Sequence, residues 1–326
     1  LFLQEPPQET LSIPHFRTVG DEVPDHPSHD LLETVQTMER RQAWMKESLL
    51  EQGQGPLPFV HSAAVNSLPG RVATDMRRVL GLPDSWAHRH GTWIDALRDL
   101  RRRMEDAGII VVVNGIVGNN THRKLDPQEF RGFVLVDPYA PVVFVNGADG
   151  KAAQMFTLAH ELAHVWFGVS AAFDLRQLLP SDDRTERACN LVAAEFLVPE
   201  AELQAAWPAI RKEPEPFQSA ARRFKVSAIV AARRALDLGL ITRQSFSQFY
   251  EAYEADERRR TEAQEEEGGN FYASQNLRIG RKFADAVLRA VMEGKLLYRD
   301  AYKLTGISGK TFDRYATSLG LGDRRG

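Results

Sequence analysis

Two histidines and a glutamate near the middle of the chain have the residue types and the spacing of a metal-dependent hydrolase. His160 and His164 are four residues apart, and Glu161 follows the first histidine. Residues at that spacing in an α-helix lie about 40° apart on one face, so both imidazoles could bind one tetrahedral zinc ion. The carboxylate of Glu161 is offset from the pair and could act as a general base on a zinc-bound water.

The sequence around this pattern predicts a buried helix. Apolar residues occupy almost every face between Phe156 and Phe167, and Gly168 follows as a C-cap. Two imidazoles and a carboxylate inside such a helix cost free energy unless a partner satisfies them. A chance match of the pattern is the competing interpretation, and the expected burial of its polar groups argues against it.

A third protein ligand would complete the site and leave one position open for water. Residues 185–199 predict a second buried helix, which ends at Pro199. Glu186 and Glu195 lie on roughly opposite faces of this helix, so only one of them can face the metal. Glu186 is favoured because it lies near the start of the helix, with Asn190 one turn later on the same face. The weaker alternatives are Asp182, Asp183 and Cys189, and Glu195 is then expected to be structural or solvated.

A small antiparallel sheet is predicted before the histidine helix. Residues 109–113 form an apolar run that is typical of a buried strand. Residues 130–136 and 141–146 predict two further strands, and the turn between them makes a hairpin. The edge of such a sheet could bind an extended peptide by strand addition.

The composition is that of a globular protein, with 43% hydrophobic and 26% charged residues. Its 326 residues predict about two or three compact units. The net charge of −3 excludes a polycation. The single cysteine, Cys189, excludes an internal disulfide and fits a reducing, cytoplasmic location. The longest aliphatic run is too short to span a bilayer and no signal peptide is visible, so no membrane partner is expected.

The chain divides into four predicted segments. Residues 1–70 are expected to form an extended linker and a helix, and residues 71–210 a core that contains the candidate zinc metallopeptidase site. A unit resembling a helix-turn-helix, with a charged linker, is predicted for residues 211–267, and a basic helical unit for residues 268–326. Because the first residue is Leu, the chain is expected to begin inside a longer protein or to be processed. Helices in the first two segments are predicted at residues 31–51, 62–82 and 92–107.

Two segments near the carboxyl end have the pattern helix, turn, helix. They are residues 217–241 and residues 298–315, and Gly306 marks the turn of the second. The last 56 residues contain eleven Lys and Arg against five Asp and Glu, a net charge of +6. Lys310 and Arg314 would lie on the second helix and could contact DNA or single-stranded DNA. The alternative is a helical bundle that packs on the core or binds the protein substrate.

Two helix motifs and the hairpin before them resemble the ImmA/IrrE family of metallopeptidases. The motifs are residues 154–164 and residues 186–199, and the similarity covers about residues 70–240. The pair of motifs is specific to the family. The resemblance implies a compact, thermolysin-like zinc fold, with the metal on His160, His164 and Glu186 and catalysis by Glu161.

The resemblance also implies a substrate class. Known members of the family cleave helix-turn-helix repressors encoded nearby, in prophages, mobile elements or DNA-damage circuits. Many members carry an amino-terminal helix-turn-helix domain in the same chain, so residues 1–30 are expected to be a linker after such a domain. Some relatives are regulated through a cysteine on the zinc, and the position of Cys189 within the second helix argues against that control here.

These patterns predict an α+β fold that is mostly helical. It has a thermolysin-like minimal zincin core with a small antiparallel sheet, followed by helix-turn-helix-like units. The predicted function is a zinc-dependent endopeptidase with a gluzincin-like third ligand, which cleaves a helix-turn-helix repressor or antitoxin-like partner with a water activated by Glu161. The alternative is a DNA-binding transcriptional regulator with a structural or sensory metal site, in which Glu161 has no purpose. The candidates for a further oxyanion donor are Tyr139, His122, His88 and His90.

Overall fold

A five-stranded mixed sheet lies between two layers of helices. The computed structural model describes residues 11–12, 15–16, 27–173, 183–255 and 271–320. The strands follow the order β1-β5-β3-β4-β2 across the sheet. Their bounds are β1 His15–Phe16, β2 Ile110–Asn114, β3 Gly132–Leu135, β4 Val142–Asn146 and β5 Ala171–Phe173.

Thirteen α-helices and one short 3-10 helix, Trp86–Arg89, make up most of the described residues. The predicted fold class, α+β and mostly helical, is therefore confirmed. Among the described residues, no helix combines the length and the apolar character that crossing a membrane requires. The α-helices are α1 His29–Glu51, α2 Pro69–Val79, α3 Trp93–Asp106, α4 Lys151–Phe167, α5 Arg184–Leu197, α6 Glu200–Ile210, α7 Pro216–Phe224, α8 Ala228–Asp237, α9 Arg243–Ala255, α10 Phe271–Ile279, α11 Arg281–Met292, α12 Tyr298–Thr305 and α13 Gly309–Ser318.

The predicted hairpin is present, but it lies in the middle of the sheet. β3 pairs with β4 in the antiparallel sense, whereas β4 runs parallel to β2, so the whole sheet is mixed rather than antiparallel. On its other side β3 pairs with β5, where Phe133 lies opposite Ala172. Both strands of the hairpin therefore have a partner on each side. The edges of the described sheet are instead β1 and β2, and the binding of an extended peptide at a sheet edge stays a prediction.

The two faces of the sheet are apolar and support separate cores, because side chains alternate between the faces of a strand. Val111, Val143 and Val145 point toward the layer that contains α2, α3, α4 and α5. Phe133 and Phe144 point to the opposite side, where their rings stack with centroids 4.7 Å apart. That second face is covered by α1 and by helices from the carboxyl end of the chain.

Helix α4 carries the histidine pattern and lies on the first face of the sheet. Every residue from Gln154 to Phe167 is buried, as the apolar sequence predicts. Gly168 ends the helix in the left-handed region at φ +75°, and its backbone N–H donates to the carbonyl of His164. A side chain at Gly168 would collide with the ring of His61, so glycine is needed at this helix end for space as well as for conformation.

Helix α2 is shorter than the sequence predicts. It begins at Pro69, whose fixed φ and missing N–H suit the first helical turn, and not at residue 62. The residues before it instead run along the end of α4. The backbone N–H groups of His61 and Ala63 donate to the carbonyls of Val165 and Trp166, both at 3.0 Å. These carbonyls belong to the last turn of α4 and have no partner inside that helix.

The carboxyl-terminal helices are joined to α1 by one buried arginine. Arg41 Nε donates to the carbonyl of Leu304 at 2.9 Å, and Nη1 donates to that of Arg278 at 3.0 Å. These carbonyls lie at the ends of α12 and α10, where helix carbonyls lack partners and a cation is favoured. Burial lowers the pKa of Arg41 to about 10, so the guanidinium stays charged at neutral pH.

We expect Arg41→Met to destabilise the protein by about 3 kcal/mol, because it leaves two buried helix-end carbonyls without their donor. The urea midpoint of unfolding measures this loss. Arg40→Met is the matched control, since Arg40 is exposed and hydrogen bonds to Thr37 within its own helix. Equal midpoints for the two variants would contradict the role of Arg41.

Candidate metal centre

Helices α4 and α5 pack against each other and bring the three predicted ligands together. His160 and His164 lie on the face of α4 toward α5, and Glu186 lies in the first turn of α5. The start of α5 is fixed by Asp183. Its carboxylate accepts hydrogen bonds from the backbone N–H groups of Thr185 at 2.7 Å and Glu186 at 3.0 Å.

The three side chains form a small triangle of nitrogen and oxygen atoms. Nε2 of His160 lies 3.1 Å from one carboxylate oxygen of Glu186, and Nε2 of His164 lies 3.1 Å from the other. The two Nε2 atoms are 3.2 Å apart. Two ligands of a tetrahedral zinc ion, each at about 2.0–2.1 Å, lie about 3.3–3.4 Å from each other. The triangle therefore has the size that a single zinc ion requires.

Glu161 lies beside this triangle and is fully buried. Within the described part of the chain, neither of its carboxylate oxygens has a hydrogen-bond partner. Burial, and then the negative charge of Glu186, raise the pKa of Glu161 well above its ordinary value. A buried carboxyl group without a partner is costly, and a nearby cation and a water are what would satisfy it.

Asn190 holds the ring of His160. Its Oδ1 lies 3.0 Å from Nδ1 of His160, one helical turn after Glu186 on the same face of α5. If Nδ1–H donates to this oxygen, the lone pair of Nε2 points into the triangle, which is the tautomer that a metal ligand needs. Burial lowers the pKa of His160, which favours the neutral ring that ligation requires.

Glu186 supplies the negative charge of the site. Burial alone would raise the pKa of its carboxyl group, but the charges and hydrogen bonds of His160 and His164 outweigh burial and bring the pKa down to about 2. The carboxylate is therefore ionised at every pH near neutrality. Two imidazoles and one carboxylate are a donor set that suits zinc and leaves a coordination position for substrate or water.

A comparison with protein-family models matches residues 104–236 to the IrrE N-terminal-like domain of peptidase family M78. The match includes α4, α5 and every residue of the triangle. Residues 104–236 belong to the ImmA/IrrE family. A metallopeptidase-type function follows for this IrrE-like domain, and the resemblance seen in the sequence is confirmed. Residues 279–318 match a domain of unknown function. No curated protein and no solved structure gave a match.

Cys189 is a further candidate ligand in the IrrE-like domain. It is buried on α5, and the ligand atoms of His160, His164 and Cys189 lie within 4.8 Å of one another, so this group could also hold a metal ion. Burial, followed by the negative charges of Glu186 and Glu161, raises the pKa of the thiol well above its ordinary value. A thiol must lose its proton to ligate. We favour Glu186 because it is already ionised and lies 3.1 Å from each histidine nitrogen.

The other carboxylates that the sequence offered as the third metal ligand do not belong to the triangle. Glu195 lies on the opposite side of α5, where it forms a close ion pair with Arg234 and accepts a hydrogen bond from the backbone of Glu200 at 3.2 Å. Asp183 is the N-cap of α5. Asp182 lies outside the described residues.

The four candidates for an oxyanion donor lie on three different segments. Tyr139 is in the β3–β4 turn, and its backbone N–H donates to Asp137. His122 is exposed in the loop between β2 and β3, and His88 is exposed in the 3-10 helix. Nε2 of His90 lies 3.4 Å from Asp99. These positions do not single out one of the four as the donor.

Gly132 is a residue of the site region that the sequence did not reveal. It begins β3, directly against α4, and a Cβ there would lie 2.6 Å from Cγ2 of Thr157 and 3.0 Å from Oε1 of Glu161. Glycine thus lets the strand approach the helix at the level of Glu161. A glycine at the start of an apolar strand is the one available hint, since it often marks a close backbone approach.

Proposed function

We propose that the protein is a zinc-dependent endopeptidase. The observation that carries the proposal is the triangle of His160, His164 and Glu186 with the buried, unpartnered carboxyl group of Glu161 beside it. A structural zinc site normally has four protein ligands and needs no neighbouring base. Glu161 has no purpose in such a site, whereas a hydrolase requires it.

The three ligands would hold the zinc ion with their positions fixed by α4 and by the capped start of α5. When bound, zinc polarises the scissile carbonyl and lowers the pKa of a water. Glu161 takes the proton of the attacking water and later delivers it to the leaving amine. Burial raises the pKa of Glu161 above its ordinary value, and a group that must accept and then release a proton works best with a pKa near the operating pH.

Because Glu161 is buried, the charges near it decide whether its carboxyl group is protonated or ionised. In the absence of a cation, desolvation favours the neutral acid. A cation held a few ångströms away by His160, His164 and Glu186 favours the ionised base instead. The same side chain can therefore be a base before bond cleavage and an acid after it.

The proposed substrate is a transcriptional repressor, or an antitoxin-like partner, that contains a helix-turn-helix domain. This part of the proposal rests on the resemblance to the ImmA/IrrE family and not on the site itself. A regulator with a structural metal site is the competing function. It gains support from Cys189, which could add a fourth protein ligand and close the site.

Metal analysis and a cleavage assay test the proposal together. We expect about one zinc ion per chain, and cleavage of the helix-turn-helix repressor encoded beside the gene, read by mass spectrometry. Cleavage should stop after chelation and return when zinc is added back. Protein without zinc, or cleavage that chelation does not change, would exclude a zinc peptidase. Zinc without cleavage of any helix-turn-helix repressor would favour the structural site.

A further inference from the structure

Two segments have a helix-turn-helix pattern, and they differ in what their second helix exposes. In the first segment, formed by α7 and α8, the second helix is largely covered. Arg234 of α8 donates to the carbonyl of Val198 at 3.0 Å and pairs with Glu195, so this helix packs against the carboxyl end of α5. The first segment is therefore a packing unit, which is the alternative that the sequence left open.

The second segment consists of α12, a turn at Gly306 and α13, with α11 packed behind it. Gly306 has φ +73°, which permits the tight turn between the two helices. Ile307, Phe312 and Tyr315 are buried between the helices. The ring of Phe312 meets that of Tyr302 edge-on, with centroids 5.2 Å apart. The three helices thus pack together, and their buried apolar side chains join the core on the second face of the sheet.

Helix α13 exposes two cations, Lys310 and Arg314, and one carboxylate, Asp313. Lys310 and Arg314 are four residues apart, so they lie on one side of the helix, and both are exposed. Within the described residues, neither has an acidic partner, nor does the exposed Lys303 of α12. Three other cations of this unit differ, because Arg289 pairs with Asp285, Lys295 with Glu293 and Arg299 with Asp300.

Three hydrogen bonds anchor the unit to the rest of the protein. Asn119 Nδ2 donates to the carbonyl of Gly306 at 2.7 Å. The hydroxyl of Tyr315 donates to Asn276 of α10 at 2.7 Å, and Arg41 holds the end of α12. A helix whose apolar side is fixed and whose basic side is free is positioned to enter a groove of matching charge.

We propose that α13 is a recognition helix that binds the major groove of double-stranded DNA. Lys310 and Arg314 would contact phosphates or base edges, and Lys303 of α12 would contact the backbone. The major groove is wide enough for an α-helix and is lined by phosphates that complement these charges. This activity goes beyond the peptidase and uses none of its residues.

Fluorescence anisotropy with a labelled 30-base-pair duplex of random sequence tests the proposal on the full chain. We expect a dissociation constant of about 10⁻⁴ to 10⁻⁶ M at physiological salt, which tightens steeply at lower salt. Lys310→Glu with Arg314→Glu should weaken binding at least about tenfold and reduce the salt slope by about 2. Circular dichroism and the melting temperature confirm that the double variant is folded.

Arg211→Glu with Lys212→Glu is the matched control. Both residues are exposed, far along the chain from α13, and the change in net charge is the same. The control should bind within about twofold of wild type, since counterion release depends only on the contacts made. Three results would each overturn the proposal: no binding at low salt, equal losses in the two double variants, or tighter binding to a single strand of the same sequence. Because the assay reads DNA binding and not cleavage, none of them bears on the proposed peptidase.

Discussion

Glu161→Gln is expected to bind zinc as the wild-type protein does and to lose cleavage by roughly 10³-fold or more, because general acid–base catalysis contributes about 10²–10⁴-fold and the amide cannot accept the proton of the attacking water. Zinc is retained because the triangle of His160, His164 and Glu186 does not include this side chain. Gln has nearly the same shape as Glu, so the packing against Gly132 is preserved.

The measurement is the rate of substrate cleavage at equal zinc content, with zinc determined on the same protein samples. Glu105→Gln is the matched control. Glu105 is another largely buried glutamate, and burial raises its pKa too, but its carboxylate accepts a hydrogen bond from the backbone of Lys282. The control should keep full activity. If Glu161→Gln cleaves at the wild-type rate, Glu161 is not the base and the mechanism is wrong.

The parts of this fold that the sequence predicts well are those set by local interactions. Ser28 caps α1 with a hydrogen bond from Leu31, and Thr92 caps α3 with one from Asp95. These residue types appear in the sequence directly before apolar positions at helical spacing. The continuous apolar run of α4 predicts its burial in the same way. Caps and periodicity act within a few residues, so one sequence is enough to find them.

The pairing of the strands depends on contacts between distant segments, and the sequence did not predict it. β5 has three residues shortly after α4, and it lies beside β3 as a strand that the sequence did not predict. The parallel pairing of β2 with β4 brings together strands separated along the chain by a long loop and by β3. Nothing local in either strand specifies these neighbours, since apolar residues occupy both faces of all the central strands.

The candidate site was predictable for the same reason that α4 was. The four-residue spacing of His160 and His164 places both rings on one face, and Glu186 with Asn190 repeats that spacing on α5. Cys189 is three residues after Glu186, and residues at that spacing also share a helix face. Sequence spacing therefore cannot decide between a carboxylate and a thiol, and only the distances and the protonation states separate them.

We expect Glu186→Gln to lower zinc affinity on the order of 10²- to 10³-fold and to abolish cleavage at limiting zinc. One ligand accounts for a few kcal/mol of the roughly 10–16 kcal/mol that a structural zinc site with four ligands gains. The amide also removes the negative charge that balances the metal. Cys189→Ala should leave affinity and cleavage within about threefold of wild type, because the thiol is protonated and contributes only packing.

Competition with a chromophoric chelator measures the two affinities, and cobalt substitution identifies the ligand directly. A thiolate ligand gives cobalt a sulfur-to-metal charge-transfer absorption, which wild type and Glu186→Gln should both lack. If that absorption is present in wild type and absent in Cys189→Ala, sulfur binds the metal. A site of two histidines, a glutamate and a cysteine would then be closed to substrate, because all four tetrahedral positions would be protein ligands. The spectrum therefore decides between a catalytic and a structural centre before any substrate is known.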